Sequence, residues 1–273
     1  MEAVLIAGAG PAGLKVASSL AKEGWNVTVL EEHSTIGIPE NCSGLLSISG
    51  LNELGINAEH CAVNKIYGAE IYSPHGTKLV VERKKPQAVV VKRAEFDKAL
   101  YKEALNNGAK IEFNSKLIDV RKESVFFKRN ARGEIKKARI IVGADGVSSR
   151  AREIANINIP KKYFVHSYQE RVYGSFDERR VQVYTGSFAK GLFAWIIPES
   201  KTVARAGIAV SLGKNPKQAF DEFKQKYALE LETIEKQSFM IPIGPAIEEP
   251  IRGNILLVGD AAFHVKATTG GGI

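Results

Sequence analysis

The run Gly8-Ala9-Gly10-Pro11-Ala12-Gly13 constrains this chain more than any other feature, because it sits between an apolar strand-length segment, 2–7, and a helix-patterned segment, 12–23. Gly8 permits a tight turn, Gly10 lets the backbone approach a pyrophosphate, and Gly13 lets the helix pack closely on the sheet. A phosphate held there lies at the positive end of the helix. Residues 26–30 read as a second buried strand, completing a βαβ unit. Glu31 closes that strand 18 residues beyond Gly13, where its carboxylate is placed to accept hydrogen bonds from adenosine ribose hydroxyls. The chain therefore opens as a dinucleotide-binding fold, and at this point NAD fits as readily as FAD.

Beyond this unit, 47–54 reads as a short helix, and 66–72 and 77–81 read as strands joined by Ser73-Pro74-His75-Gly76. A short strand at 89–91 precedes a helix over 94–106, which stops at Asn107-Gly108. Segments 111–113, 116–128 and 134–142 return to strand character. From 163 to 211 strands alternate with turns near Phe176-Asp177, Thr185-Gly186 and Glu199-Ser200, the pattern of a largely antiparallel sheet. A helix over 216–227 follows, with Asn215 as N-cap and Pro216 at its first position. The buried strand 254–258 then re-enters the first domain. The expected fold class is α/β: a Rossmann-like dinucleotide-binding domain (1–65, 94–160 and 250–273) with an interleaved, mainly antiparallel β-sheet substrate domain (66–93 and 161–249).

Composition narrows the function by exclusion. With 273 residues, 44% of them hydrophobic, the chain can bury a sizeable core, and no apolar run approaches the ~20 residues of a membrane span. Met1 leads into a strand without a basic signal region, so a cytoplasmic location is expected. Cys42 and Cys61 form no CxxC pair and supply too few ligands for a zinc site or a disulfide framework. No metal is expected. The net charge of +8 is concentrated at 78–93 and 121–139. Such clusters are either solvated faces or sites for anionic partners. Lacking interleaved aromatics, they fit a phosphorylated cofactor or an anionic lipid surface better than nucleic acid. His33, His60, His75, His166 and His264 have no metal or triad spacing; only His264 follows a candidate cofactor motif.

Two further motifs choose between the dinucleotides. The first is Val142-Gly143-Ala144-Asp145-Gly146, followed by Val147-Ser148-Ser149-Arg150; the second is Leu257-Val258-Gly259-Asp260-Ala261-Ala262. Singly, Asp145 and Asp260 are turn carboxylates at strand ends. Together with the glycine loop, they make nearly the whole chain resemble the flavoproteins that include aromatic hydroxylases and geranylgeranyl reductases. That resemblance implies FAD. It places Asp260 against the ribityl or pyrophosphate part of the cofactor, has Gly143 to Arg150 close on it, and sets Arg93, in Arg93-Ala94-Glu95-Phe96-Asp97, at a helix start beside it.

Three stretches narrow the likeness to the geranylgeranyl reductases. Gly37-Ile38-Pro39-Glu40-Asn41-Cys42-Ser43-Gly44 resembles their cysteine loop. Phe193-Ala194-Trp195-Ile196-Ile197-Pro198 is similar to their aromatic-x-Trp-x-Phe-Pro pocket motif, with Phe193 replacing Tyr and Ile197 replacing Phe. Lys266-Ala267-Thr268-Thr269-Gly270-Gly271-Gly272 resembles the glycine-rich loop that meets the flavin, which adds Gly271 and Gly272 to the cofactor set. The implied chemistry is hydride delivery from reduced flavin to one alkene carbon and protonation of the other, in a pocket that excludes water. Phe193, Trp195 and Ile197 alternate on one strand and face one side, as a pocket wall or as ordinary core. Cys42 is either a flavin-side group that positions or protonates substrate, or a small buried hydrophobe.

The leading expectation is an FAD-dependent reductase of isoprenoid double bonds on a lipid or lipid precursor, with peripheral membrane contact and no nucleic acid. The alternatives are an aromatic-ring monooxygenase on the same fold and a truncated flavin-binding protein without full activity. The third arises because related chains continue beyond the position of Ile273; on that expectation FAD is held weakly and turnover is low. No second glycine fingerprint is present, so electrons are expected from free NAD(P)H or from a ferredoxin-like protein.

Overall fold

The computed structural model describes residues 2–272; Met1 and Ile273, with the expectations tied to the chain's two ends, lie outside the described residues. β1 (Glu2–Ala7), α1 (Pro11–Lys22) and β2 (Val27–Leu30) form the parallel unit, with Val4 to Ala7 and all of β2 buried. Burial on both faces is what a parallel strand between covering layers requires. The chain then leaves this sheet through β3 (Leu45–Ser47), α2 (Ile48–Glu53), β4 (Ala62–Ile66), β5 (Gly68–Tyr72), β6 (Lys78–Glu82) and β7 (Ala88–Val91). It returns by α3 (Arg93–Asn106), which packs beside α1, and by β8 (Lys110–Glu112), parallel to β2.

β9 (Ser115–Arg121), β10 (Ser124–Arg129) and β11 (Arg132–Gly143) make an antiparallel meander, and the far half of β11 pairs in parallel with β1. The single strand read over 116–128 is thus two strands, folded back at Lys122, whose φ of 54° does the work a turn glycine normally does. After α4 (Arg150–Ile154) come β12 (Phe164–Tyr173), β13 (Arg180–Tyr184), β14 (Gly191–Pro198), β15 (Val203–Ser211), α5 (Pro216–Lys226) and β16 (Glu232–Pro242). β17 (Ile251–Arg252) and β18 (Ile255–Leu257) close the chain's path, β18 lying parallel to β11.

Three sheets result. The eight-stranded one runs β17-β18-β11-β1-β2-β8, with β10 and β9 attached through β11; the seven-stranded one runs β16-β12-β15-β14-β13-β5-β6; β3, β7 and β4 form the third. All pairings in the seven-stranded sheet are antiparallel except β13 with β5. This is the expected Rossmann-like layer joined to a mainly antiparallel sheet. α5 covers one face of the latter, burying Phe220 and Phe223 completely, each ring contributing roughly 2–3 kcal/mol. The opposite face carries Val181, Trp195 and Ile197 against Ile66 and Val90, so one apolar cluster joins the seven-stranded sheet to the small one. The site lies along that join.

Candidate functional site

Three sequence motifs converge because each carries a glycine where a side chain does not fit. A Cβ on Gly8, which has φ +99°, would stand 2.4 Å from the Ala144 carbonyl oxygen; one on Gly13 would stand 2.1 Å from the Gly8 carbonyl oxygen and 3.1 Å from Ala144 Cβ. A Cβ on Gly259 would also press on Ala12 Cβ, at 2.8 Å. Ala12, Gly13 and Gly259 therefore act by close packing and do not line the clefts. Gly10 differs. A Cβ there would meet nothing within 4 Å, because the residue opens onto a cleft of about 370 Å³. α1 starts at this point with no side-chain cap and no acid in its first turn, so its positive end faces the cleft with no carboxylate of its own helix to answer it.

Gly8, Glu31, Arg93, Asp145 and Gly146 line the same cleft. Buried Glu31 accepts from the Ala9 backbone N–H at 2.8 Å through one oxygen; the other accepts from the His33 N–H at 2.8 Å and lies 2.7 Å from His33 Nδ1. The carboxylate is thereby fixed against the glycine loop. His33 is a residue that the sequence reading missed, its only signal being its position two residues after the strand-ending acid. Asp145 is engaged elsewhere: it accepts from Ser149 Oγ at 2.5 Å and from the Arg150 and Ala151 N–H groups at 2.7 and 3.0 Å. Its carboxylate holds the start of α4, while Gly146, at φ +75°, carries the backbone along the cleft.

A second cleft, of about 350 Å³, adjoins the first and shares Asn41 and Arg93 with it. Cys42, Phe193, Trp195, Asp260, Gly271 and Gly272 line it, and Ile197 lies beside Trp195. Three stretches distant in sequence are thus gathered on one cavity. His264 lines neither cleft. The glycine loop folds over Asp260: the Gly271 carbonyl accepts from Lys266 N–H at 2.9 Å, and a Cβ on Gly272 would lie 3.3 Å from Asp260 Oδ1. Burial pushes the Asp260 carboxyl above the ordinary aspartate range, with Arg93 opposing that shift. Arg93 grips Asp97 through two hydrogen bonds of 2.9 and 3.1 Å. Burial works against its charge, but the neighbouring Cys42 and Asp97 hold its guanidinium firmly protonated.

The cavity wall is tied together by groups outside every motif. Trp195 Nε1 donates to Gln169 Oε1 at 2.9 Å, and Gln169 Nε2 donates to the Cys42 carbonyl at 3.3 Å. Gly207 makes room for the indole, since a Cβ there would be 2.5 Å from the ring. Arg205, only 6% exposed, donates to the Cys42 and Val91 carbonyls at 3.3 Å each and to Glu199 at 2.8 Å, and it lies 3.2 Å from Glu40. Arg171 binds the second oxygen of Glu199 at 2.8 Å.

Burial alone would raise Glu199, but Arg205 and Arg171 more than offset it and hold the carboxylate below its ordinary value of 4.5. A depressed carboxylate stabilises the fold above its unfolded pKa, and that contribution is lost as pH falls through the folded value. The melting-temperature advantage of the parent chain over Glu199→Gln is therefore expected at neutral pH and should shrink on acidification below 4.5; a constant difference from pH 7 downward refutes this role.

Comparison with known proteins decides which dinucleotide the paired clefts hold. The profile described as FAD binding domain matches residues 1–273. The chain belongs to this family. Its relatives include digeranylgeranylglycerophospholipid reductase 2 of Methanosphaera stadtmanae, 32% identical over 99% of this chain and 73% of that protein. A geranylgeranyl bacteriochlorophyll reductase-like protein from Thermoplasma acidophilum superposes with a TM-score of 0.92 at 26% identity, over 99% of this chain and 74% of that one. p-Nitrophenol 4-monooxygenase from Pseudomonas putida, at 16% identity and TM-score 0.75 over 96% of this chain and 73% of that one, shares the fold. This protein is an FAD-dependent oxidoreductase related to the geranylgeranyl reductases. The residues present fit FAD: an open glycine at a bare helix N-terminus suits the pyrophosphate, Glu31 the adenosine end, and the adjoining second cleft the flavin end.

Proposed function

We propose that this protein reduces isoprenoid double bonds of a lipid or lipid precursor. The observation that carries the reading is the wall of Phe193, Trp195 and Ile197 facing a cavity that opens beside Cys42 and the cofactor cleft. Bound reduced flavin supplies the hydride. The chain's part is to exclude water with that apolar wall and to hold the alkene in place, with Trp195 locked by Gln169. Cys42 Sγ positions the substrate or delivers the proton to the second carbon. Gly8, Gly10, Ala12, Gly13 and Glu31 hold the nucleotide half, directly or by packing; Arg93, Asp145, Gly146, Gly259, Asp260, Gly271 and Gly272 shape the rest of the cofactor site. The FAD-binding domain comprises 1–65, 94–160 and 250–273, and the substrate domain 66–93 and 161–249. NAD(P)H or a ferredoxin-like protein supplies the electrons, and the enzyme works on the cytoplasmic side in peripheral contact with a membrane. Among the described residues no helix is long and apolar enough to cross one.

The test is anaerobic: FAD-loaded protein is chemically reduced, a geranylgeranyl lipid is added, and flavin absorbance is followed together with lipid mass. Return of the oxidised spectrum with matching hydrogenation of the lipid is the expected result. No reoxidation by lipid, combined with NAD(P)H-dependent oxygen consumption on an aromatic substrate, would transfer the protein to the monooxygenases.

A further inference from the structure

β6 is bare on both faces. Every residue from 74 to 85 is exposed, and Leu79, Val80 and Val81 are 58%, 43% and 48% exposed, with Ile71 on β5 at 38%. The strand pairs with β5 alone, so its outer edge is open. Sheets usually blunt such an edge with charge or cover it. Here the register is informative: Trp195 stands opposite Val183, Val183 opposite Ile71, and Ile71 opposite Leu79. Opposed residues in a ladder share a face. An apolar rung therefore runs from the cavity wall to the sheet's edge, over three strand spacings of about 5 Å each. Val181, Ala69 and Val81 form a second rung beside it.

Charge completes the pattern. Arg83, Lys84 and Lys85 follow β6 directly, all exposed and without an acidic partner among the described residues. The nearby acids are already engaged, Glu82 by Arg179 and Glu70 by Lys78 and Arg180. Two residues further on, Gln87 and Ala88 line the second cleft, and Gln87 Nε2 donates back to the Lys85 carbonyl at 2.9 Å. Apolar edge, cationic triplet and cavity wall are consecutive.

We propose that the β5–β6 edge docks on an anionic lipid bilayer. Leu79, Val80 and Val81 enter the headgroup boundary, Arg83, Lys84 and Lys85 meet the lipid phosphates, and the Leu79–Ile71–Val183–Trp195 rung guides an isoprenoid chain into the cavity. Three adjacent cations beside exposed aliphatic residues match an anionic membrane surface, and the like charges oppose pairing with a second copy of the same edge. The inference rests on the isoprenoid-lipid reading of the substrate.

It is tested by flotation of the FAD-loaded protein with vesicles of saturated phosphatidylglycerol and phosphatidylcholine, against vesicles of phosphatidylcholine alone; neither contains an isoprenoid. Binding is expected to the anionic vesicles only and to weaken with salt. Replacing Arg83, Lys84 and Lys85 together by Ser should lower partitioning roughly a hundred-fold, and Leu79→Ser with Val81→Ser should weaken it at every salt concentration. Both variants should keep the parent's melting behaviour, and the variant lacking the three cations should also keep its turnover of detergent-dispersed geranylgeranyl alcohol. Equal flotation of parent and triple variant, absence of anionic binding, or a concentration-dependent dimer abolished by Leu79→Ser would overturn the proposal. Vesicle binding without alkene reduction in either medium would sink the substrate reading and leave the docking surface standing.

Discussion

Gly10→Val should fold like the parent chain and fail to hold FAD. The expectation follows from the contrast among the three glycines of the loop. At Gly8 and Gly13 an added Cβ would collide with backbone at 2.4 and 2.1 Å, so substitution there separates helix from sheet and tests only whether the chain folds. At Gly10 the Cβ meets nothing, and its isopropyl group would project into the first cleft, where α1 presents its uncapped N-terminus. Valine at this position displaces a pyrophosphate from the helix amides without disturbing the packing around Ala144. Losing those contacts is expected to weaken FAD by roughly a hundred-fold or more, about 3 kcal/mol. Apoprotein melting should stay within a few degrees of the parent, since nothing buried is touched. Fluorescence titration with FAD checks the first result and calorimetry the second. Unchanged FAD affinity in a folded Gly10→Val protein would place the pyrophosphate elsewhere.

The same contrast shows which parts of the molecule are legible in sequence. Local constraints are: a glycine forced by backbone contact, a proline opening α1, and Asn215 capping α5 through bonds to the Lys217 and Gln218 N–H groups all act within a few residues and leave a readable pattern. β16 is hidden because it is an edge strand of mostly polar residues, Glu232 to Ser238, whose partner β12 supplies the order. Its backbone pairing needs no apolar alternation. The fold at Lys122 is hidden because a lysine takes a conformation usually left to glycine. In the site, the motif residues Cys42 and Trp195 were readable, whereas Gln169 and Arg205, which bind them, lie 127 and 163 residues from Cys42. Long-range hydrogen bonding leaves no spacing rule. Gly207 had a weak signal, a glycine within a mostly apolar strand, and its meaning depends on the indole opposite.

Arg205→Ala should cost more stability than any other single change in the cavity wall. One guanidinium joins the Cys42 loop, β7 and Glu199, and its removal leaves two carbonyls without this donor and Glu199 with Arg171 alone. Breaking a buried ion pair by deleting one partner costs about 3–5 kcal/mol, on the order of a 10 °C fall in Tm for a chain of this size. Arg205→Lys should recover only part of the loss, because a single ammonium cannot match the planar fork that reaches Glu199 and both carbonyls. The double variant Arg205→Met with Glu199→Met removes charge from both sides and should regain much of the stability. It should not regain alkene reduction, because nothing then ties the Cys42 carbonyl to β15, and a folded enzyme with a displaced cysteine loop is expected to lose kcat more than it raises KM. Melting curves and steady-state kinetics on the same three variants separate the two roles. Full activity in the double variant would reduce Arg205 to a stabilising residue, with Gln169 alone positioning the loop.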